Sequence, residues 1–418
     1  MKRLFVIIAS IIVVLGIGVA VYFVFFASAA PHLTVSTANP FGDTGSGTVT
    51  PTTPSTPEQV AGSAGTVVAP NLIKITGSAV AAGAVAFDIV PIFASATSTS
   101  LAPTGATSTV ANGTFSSPDI EVRYIERQSG NVYAYRAQAR SLTRISNKTL
   151  PGIQEASWLP NGSLSFVRFL AQVAGGEHLN TYALPADGNG GYFLQSDLDQ
   201  VSVTGSSTLF TLTAGTNGSI GTVAHSDGSG ARTLFTSPLA SIIVQAVGNS
   251  FVAVTKAASE IDGYAFSITS TGSFTPILGP LRGLTALLSP SGNLLLYSYT
   301  DGNRVYMSIL NLTNGSVTTL PLATLTEKCV WTSDSAFLYC GIPTNFSGNL
   351  PDDWFQGATS FTDRIWRIDL ANRLATLVVD PVKTGKTAID AVNLTLDPNT
   401  QLLVFRNKKD SSLWAFSL

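Results

Sequence analysis

The sequence predicts an all-β chain: a ring of seven four-stranded sheets closed by an N-terminal strand and preceded by one transmembrane helix. Three observations predict it. A strand–turn–strand pattern recurs from residue 71 onward. An orphan strand, "LIKIT" (72–76), stands ahead of the first full repeat, while the last repeat stops at Leu418 one strand short. An uncharged run from Leu4 to Phe26 follows Lys2 and Arg3.

The N-terminal run of 23 residues would span about 34 Å as a helix, against roughly 30 Å of hydrocarbon. A cleavable signal has a shorter apolar core, about 7–15 residues, so residues 1–30 read as an uncleaved anchor. "FASAAP" offers small residues to a peptidase, which keeps a cleaved signal open as the alternative. In both cases Lys2 and Arg3 stay in the cytoplasm and the rest is exported, to a periplasmic or extracellular location. Residues 31–70, with "TGSGTVTPTTPSTPEQVAGSAG", have little to bury and many Pro and Gly breaks. They read as a disordered tether spanning roughly 35 Å.

Residues 71–418 carry the repeat. Charged residues are 11% of the chain and the net charge is −2, so no broad attraction to nucleic acid or anionic lipid is implied. Hydroxyl residues and glycine suit strands and turns, and no long stretch shows a 3.6-residue period. The clearest turns are "WLPNGSLSF" (158–166), "LSPSGNLLLY" (288–297), "WTSDSAFLY" (331–339) and "LDPNTQLLVF" (396–405). Inner strands placed near Ala79, Ile153, Asp197, Leu239, Leu284, Glu327 and Asp390 give seven units. Four of the six intervals, 44, 42, 45 and 43 residues, sit at the usual blade length of about 40–45. The long ones, 74 and 63 residues, hold insertions at 88–118 and 342–362.

These turns resemble the "W-S-P-D-G-x-x-L" turn of TolB-type and WD-repeat-like β-propellers, a likeness of blade pattern over about 345 residues. Ser335 and Thr400 stand where that pattern has glycine. The resemblance implies a seven-bladed β-propeller and, by analogy of fold alone, protein partners in the cell envelope. The last blade has "DAVNLTL", "QLLVFRN" and "SLWAFSL" but no fourth strand, whereas "LIKIT" matches "LTRIS" (142–146), a fourth strand. Residues 72–76 are therefore expected to complete it and remove an exposed edge. "AVAAGAVAF" (79–87) then serves as the first inner strand, with Phe87 in the place of Trp158 and Trp331. The blade with "DLDQVSVTGSSTLFTL" has the least distinct pattern.

The two cysteines, Cys329 and Cys340, flank the hairpin loop Ser333–Ala336. Counting outward from a Thr332–Phe337 pair places them opposite one another at a non-hydrogen-bonded position, close enough for a disulfide. His32, His178 and His225 are scattered, and no nucleophile-elbow motif accompanies them. "KTGKT" (383–387) is half a phosphate loop, with Asp380 at the position of the first glycine. "DGNGG" (187–191) lacks the twelfth-position Glu of a calcium loop, since Leu198 stands there. It and "SDGSG" (226–230) read as turns between third and fourth strands. No catalytic residue, metal site or cofactor is assigned.

The insertion 342–362 combines Asp352, Asp353, Trp354, Phe355 and Gln356 in a second-to-third-strand loop, on the face that carries the inter-blade connections. Large aromatics beside carboxylates are components of a binding anchor. The plainer alternative is that Trp354 and Phe355 fold back over the blade, with Asp352 as a cap. The 88–118 insertion, rich in Ala, Ser and Thr, is expected to be a loop on the opposite face. Together these features favour a non-catalytic, membrane-tethered protein-binding or assembly scaffold of the cell envelope. The alternatives are a propeller hydrolase or lyase acting on glycans, or a carbohydrate-binding module using the 342–362 loop. Adjacent carboxylates such as Asp352 and Asp353 usually point apart, which makes them a poor acid–base pair.

Overall fold

A computed structural model of the chain describes residues 66–89, 119–173, 176–302 and 304–418. The expected anchor (4–26), the tether up to residue 65 and the insertion beyond Ile89 lie outside them. Among the described residues no helix is long and apolar enough to cross a membrane.

The fold is an all-β seven-bladed propeller. Blades 1 to 6 each take four consecutive strands in sequence order, all neighbours antiparallel. Their inner strands are Val85–Ile89, Ile153–Trp158, Gln200–Val203, Ile242–Val247, Thr285–Leu288 and Cys329–Trp331. Blade 7 begins with Ala391–Leu396, Leu402–Asn407 and Leu413–Ser417. Beyond Leu413–Ser417 lies Leu72–Thr76, in the register Leu72↔Phe416 and Ile73↔Ala415, and beyond that Thr66–Ala69. Inner strands of neighbouring blades approach one another, which puts them round the axis.

Period-2 alternation explains why the sheets stack. Along each middle strand successive side chains serve opposite interfaces. Phe166 packs toward blade 3 and Val167 toward blade 1, while Leu295 faces blade 4 and Leu296 blade 6. Seven apolar clusters result, one for each pair of adjacent blades. Polar side chains add cross-blade bonds near the axis. Gln200 donates to Val244 O at 2.6 Å and accepts from Val244 N at 2.8 Å, and Ser157 Oγ donates to Val201 O at 3.1 Å.

The four quoted turns share one geometry. The first turn residue donates its N–H across to the incoming strand, and the residue three further on donates back to it. That later position needs a left-handed backbone: Gly162 (φ 67°), Gly292 (φ 70°), Ser335 (φ 61°) and Thr400 (φ 57°). Ser335 and Thr400 thus adopt the glycine conformation despite their side chains, an unfavourable choice for β-branched Thr400.

Four boundaries differ from the sequence expectation. Thr66–Ala69 is a strand within the expected tether (31–70); Pro70 and Asn71 (φ 68°) supply the two central residues of a tight turn that folds it back on Leu72–Thr76. The first inner strand begins at Val85, not Ala79. Ahead of it, Ala82 donates to Gln154 O and accepts from Ala156 N, and a Cβ on Gly83 (φ 97°) would lie 2.1 Å from Ala156 O. The backbone there runs too close to blade 2 for a regular strand. Asp88 and Ile89 belong to the first inner strand, not to the insertion, and Ile342 and Pro343 belong to Phe337–Pro343. The third blade, least distinct in sequence, has all four strands, Gln200–Val203, Thr208–Gly215, Gly218–His225 and Arg232–Ser237, with a bulge at Gly221/Thr222 where the last two pair.

Candidate functional site

Residues 344–362 form a lid over the connection face. Its base is closed where Thr344 N donates to Thr362 O at 3.0 Å. Its centre is a single helical turn, Asp352–Phe355, whose two leading carboxylates suit the positive N-terminal end. Asp353 Oδ2 accepts from Asn349 N at 2.8 Å and so fixes the approach to that turn. The approach also requires Gly348 (φ 81°), where a Cβ would meet Asp353 Oδ2 at 2.5 Å. Underneath, Leu350, Trp354 and Phe361 are buried against Leu325 and Val392, with Phe346 alongside.

The lid is tied to blades on both sides. Asp352 Oδ2 accepts from Ser259 N (2.7 Å) and Ser259 Oγ (2.6 Å), on the second-to-third-strand turn of blade 4. Lys408, on the matching turn of blade 7, donates to the Trp354 carbonyl, its ammonium 4.1 Å from the indole centroid.

Below the lid sits a fully buried ion cluster. Lys328 Nζ lies 2.7 Å from Asp363 Oδ2 and 2.5 Å from Asp390 Oδ1, with all three side chains at 0% exposure. Lys328 also donates to Ala391 O at 3.2 Å. Asp390 accepts from Trp354 Nε1 at 3.0 Å and Phe361 N at 2.9 Å, so it joins the lid to the axis. Asp363 Oδ2 accepts from Ala391 N at 2.6 Å, but its Oδ1 is buried without a partner. Burial pushes the Asp363 carboxyl up to about 6, against the pull of Lys328. Glu327, next in the chain, has its Oε2 buried and unpartnered, and burial raises it to about 7.

Three of the five residues singled out in the sequence have structural partners here: Asp352 and Asp353 cap backbone, and Trp354 is 3% exposed. Phe355, 45% exposed, and Gln356 face solvent. Lys328, Asp363, Asp390 and Lys408 were missed. A signal existed for two of them. In a chain so poor in charge, "TEKCVW" and "IDAV" place Lys328 and Asp390 at the start of adjacent inner strands, where side chains converge on the axis.

Cys329 and Cys340 pair in the expected register and are bonded, S–S 2.10 Å with Cα atoms 4.1 Å apart. "KTGKT" overlaps a short helix, Pro381–Gly385, between Leu374–Val379 and Ala391–Leu396. Asp380 caps it through Lys383 N and pairs with Arg364 at 2.8 Å. "DGNGG" and "SDGSG" are turns between third and fourth strands. Among the described residues no group of three or more His, Cys, Asp and Glu side chains is arranged to hold a metal.

No family model matches the chain, and no curated protein matches it. Its likenesses are to solved structures. Oligogalacturonate lyase from Vibrio parahaemolyticus is 7% identical with a TM-score of 0.50, over 72% of this chain and 86% of that one. Hydrazine synthase of Kuenenia stuttgartiensis is 11% identical with a TM-score of 0.47, over 71% and 92%. The β-propeller domain of Cps50 (Swd1) from Myceliophteria thermophila is 11% identical with a TM-score of 0.43, over 71% and 93%. At 7% identity the first of these is a likeness of fold alone.

Proposed function

We propose that this protein is a membrane-tethered propeller held outside the cytoplasm through residues 4–26, a non-catalytic scaffold that binds or assembles protein partners in the cell envelope. In this reading the docking of Leu72–Thr76 on Leu413–Ser417 closes the ring. The observation that carries the reading is the lid. Its carboxylates and indole are committed to internal bonds that brace blades 4 and 7, and the large apolar side chain it leaves exposed is Phe355, with Ile261 (68% exposed) on the blade 4 turn that Asp352 holds. A braced surface with isolated apolar side chains suits protein contact. The glycan reading needs Trp354 as a stacking platform and Asp352 or Asp353 as working carboxylates, and those groups are occupied.

The test is co-purification of the full-length chain from its native membrane, beside a glycan array. A protein recovered by the wild type and lost with Phe355→Ser/Ile261→Ser supports the scaffold. Array binding with no protein recovered overturns it.

A further inference from the structure

The seam between blades 7 and 1 gathers cations that, among the described residues, have no carboxylate within ion-pair distance. Arg127 lies on the second-to-third-strand turn of blade 1, and Arg406 and Lys408 flank the corresponding end of blade 7. Arg406 Nη2 donates to Ser411 Oγ at 2.7 Å, and Ser411 O accepts from Val80 N. Arg127 N donates to Ala79 O, so both arginines hang from touching backbone segments. The Arg127 guanidinium reaches Gln154 Oε1 at 2.5 Å.

Among the described residues none of the three cations is in an ion pair. The nearby carboxylates are otherwise engaged. Asp410 accepts from Ser412 N and Oγ and pairs with Lys74. Glu126 accepts from Ser129 Oγ, and Asp390 belongs to the buried cluster. Arg406 Nε is buried without a partner. The charges repel: burial and then Arg127 hold Arg406 below its ordinary ionisation despite Asp410, and burial, with Lys328 and Arg406, does so for Lys408 despite Asp390. Repulsion between fixed, partly desolvated cations is relieved when an anion binds.

We propose that Arg127 and Arg406, next to the Lys408 that braces the lid, form the docking arc for an acidic peptide segment of a protein partner, whose apolar side chains contact Phe355. This rests on the scaffold reading and names the partner's chemistry. Charge complementarity selects carboxylates. A peptide fits better than an acidic glycan because Trp354, the flat ring beside Lys408, is buried, whereas the exposed neighbour Phe355 suits aliphatic side chains.

The experiment uses the full chain in phosphatidylcholine nanodiscs and fluorescence anisotropy of a labelled dodecapeptide of alternating Glu and Leu. Expected are saturable binding that weakens at least about tenfold from 50 to 300 mM NaCl, a similar loss in Arg127→Gln/Arg406→Gln, and no binding of a Lys/Leu peptide. Arg127→Gln alone, a change on a turn, repeats the measurement if the double variant is unstable. Equal affinity in the variants, equal binding of the Lys/Leu peptide, or stronger competition by oligogalacturonate than by the unlabelled peptide overturns the proposal. Its failure is separable from failure of the scaffold reading. If native-membrane co-purification still returns a protein with Arg127→Gln/Arg406→Gln, the arc is wrong and the scaffold stands; if the wild type returns none, the scaffold reading falls.

Discussion

Replacing Lys328 by Met removes the single cation shared by two buried carboxylates, and its cost follows from the partners left behind. Asp390 keeps the Trp354 indole N–H and the Phe361 N–H. Asp363 keeps only Ala391 N, on the oxygen that Lys328 also serves, and its other oxygen has no partner. Breaking one side of a buried ion pair costs about 3–5 kcal/mol. Near pH 7.5 the variant should lose that much stability, mostly through Asp363. The sign of the pH dependence is fixed by the raised carboxyl. Asp363 sits at about 6 in the fold against an ordinary 3.8, so its contribution is fully present below about 4 and is lost as pH rises through about 6. Without the ammonium the carboxyl rises further, so the penalty of Lys328→Met should shrink to about 1–2 kcal/mol near pH 5. Lys328→Met/Asp363→Asn should recover at least about half the loss near pH 7.5, by removing the stranded charge. Urea denaturation of wild type, both single variants and the double variant at the two pH values measures all terms. A single-variant cost below about 1 kcal/mol, or one independent of pH, would refute the reasoning.

Three further outcomes are expected. Removing residues 66–76 strips Leu72, Ile73 and Ile75, all at most 4% exposed, from blade 7; at about 1.5–3 kcal/mol each the loss is about 5–9 kcal/mol. The bared Leu413–Ser417 edge should make the protein aggregate, and a monodisperse variant with unchanged Tm would count against ring closure. The Cys329–Cys340 bridge, with a sequence separation of 11, should contribute about 2.8 kcal/mol by loop entropy; Cys329→Ala/Cys340→Ala should fall by that much in chemical denaturation. Glu327 sits at about 7 against an ordinary 4.5, so its contribution is present below about 4.5 and lost as pH passes about 7. Glu327→Gln should therefore narrow the gap in Tm between pH 5 and pH 8, and a gap equal to that of the wild type would show that the side chain is solvated.

The number of blades, the hairpin turns and the cysteine register were legible because each depends on local chemistry that repeats. A left-handed turn residue four positions after the inner strand's last residue sets the hairpin, so Cys329 and Cys340 follow by counting from Ser335. Boundaries were less legible where a second chain segment decides them. Nothing within "AVAAGAVAF" says that Ala82 will bond to blade 2 instead of its own sheet, and only the approach of Ala156 O to Gly83 explains the break. The ion cluster was hidden for the same reason: Lys328, Asp363 and Asp390 are up to 62 residues apart and meet only once the blades are assembled round the axis.

The five residues from Asp352 to Gln356 show why an aromatic–carboxylate motif in a long loop carries two meanings. A ligand anchor and a self-anchor use the same groups, since both must bury an indole and satisfy carboxylates away from water. The choice depends on whether complementary donors exist elsewhere in the chain. Ser259 supplies two for Asp352, and Asp390 and Lys408 supply an acceptor and a donor for Trp354. The lid therefore has its carboxylates and indole spent and its position fixed. Recognition by this face then falls to groups that the folded chain leaves unsatisfied. In the proposed docking site those are Arg127 and Arg406, which hydrogen-bond only to neutral groups, together with Phe355, exposed on the lid. The same bracing gives the lid a consequence for affinity: a partner that meets Phe355 does not have to order the loop first, which removes part of the entropic cost of binding.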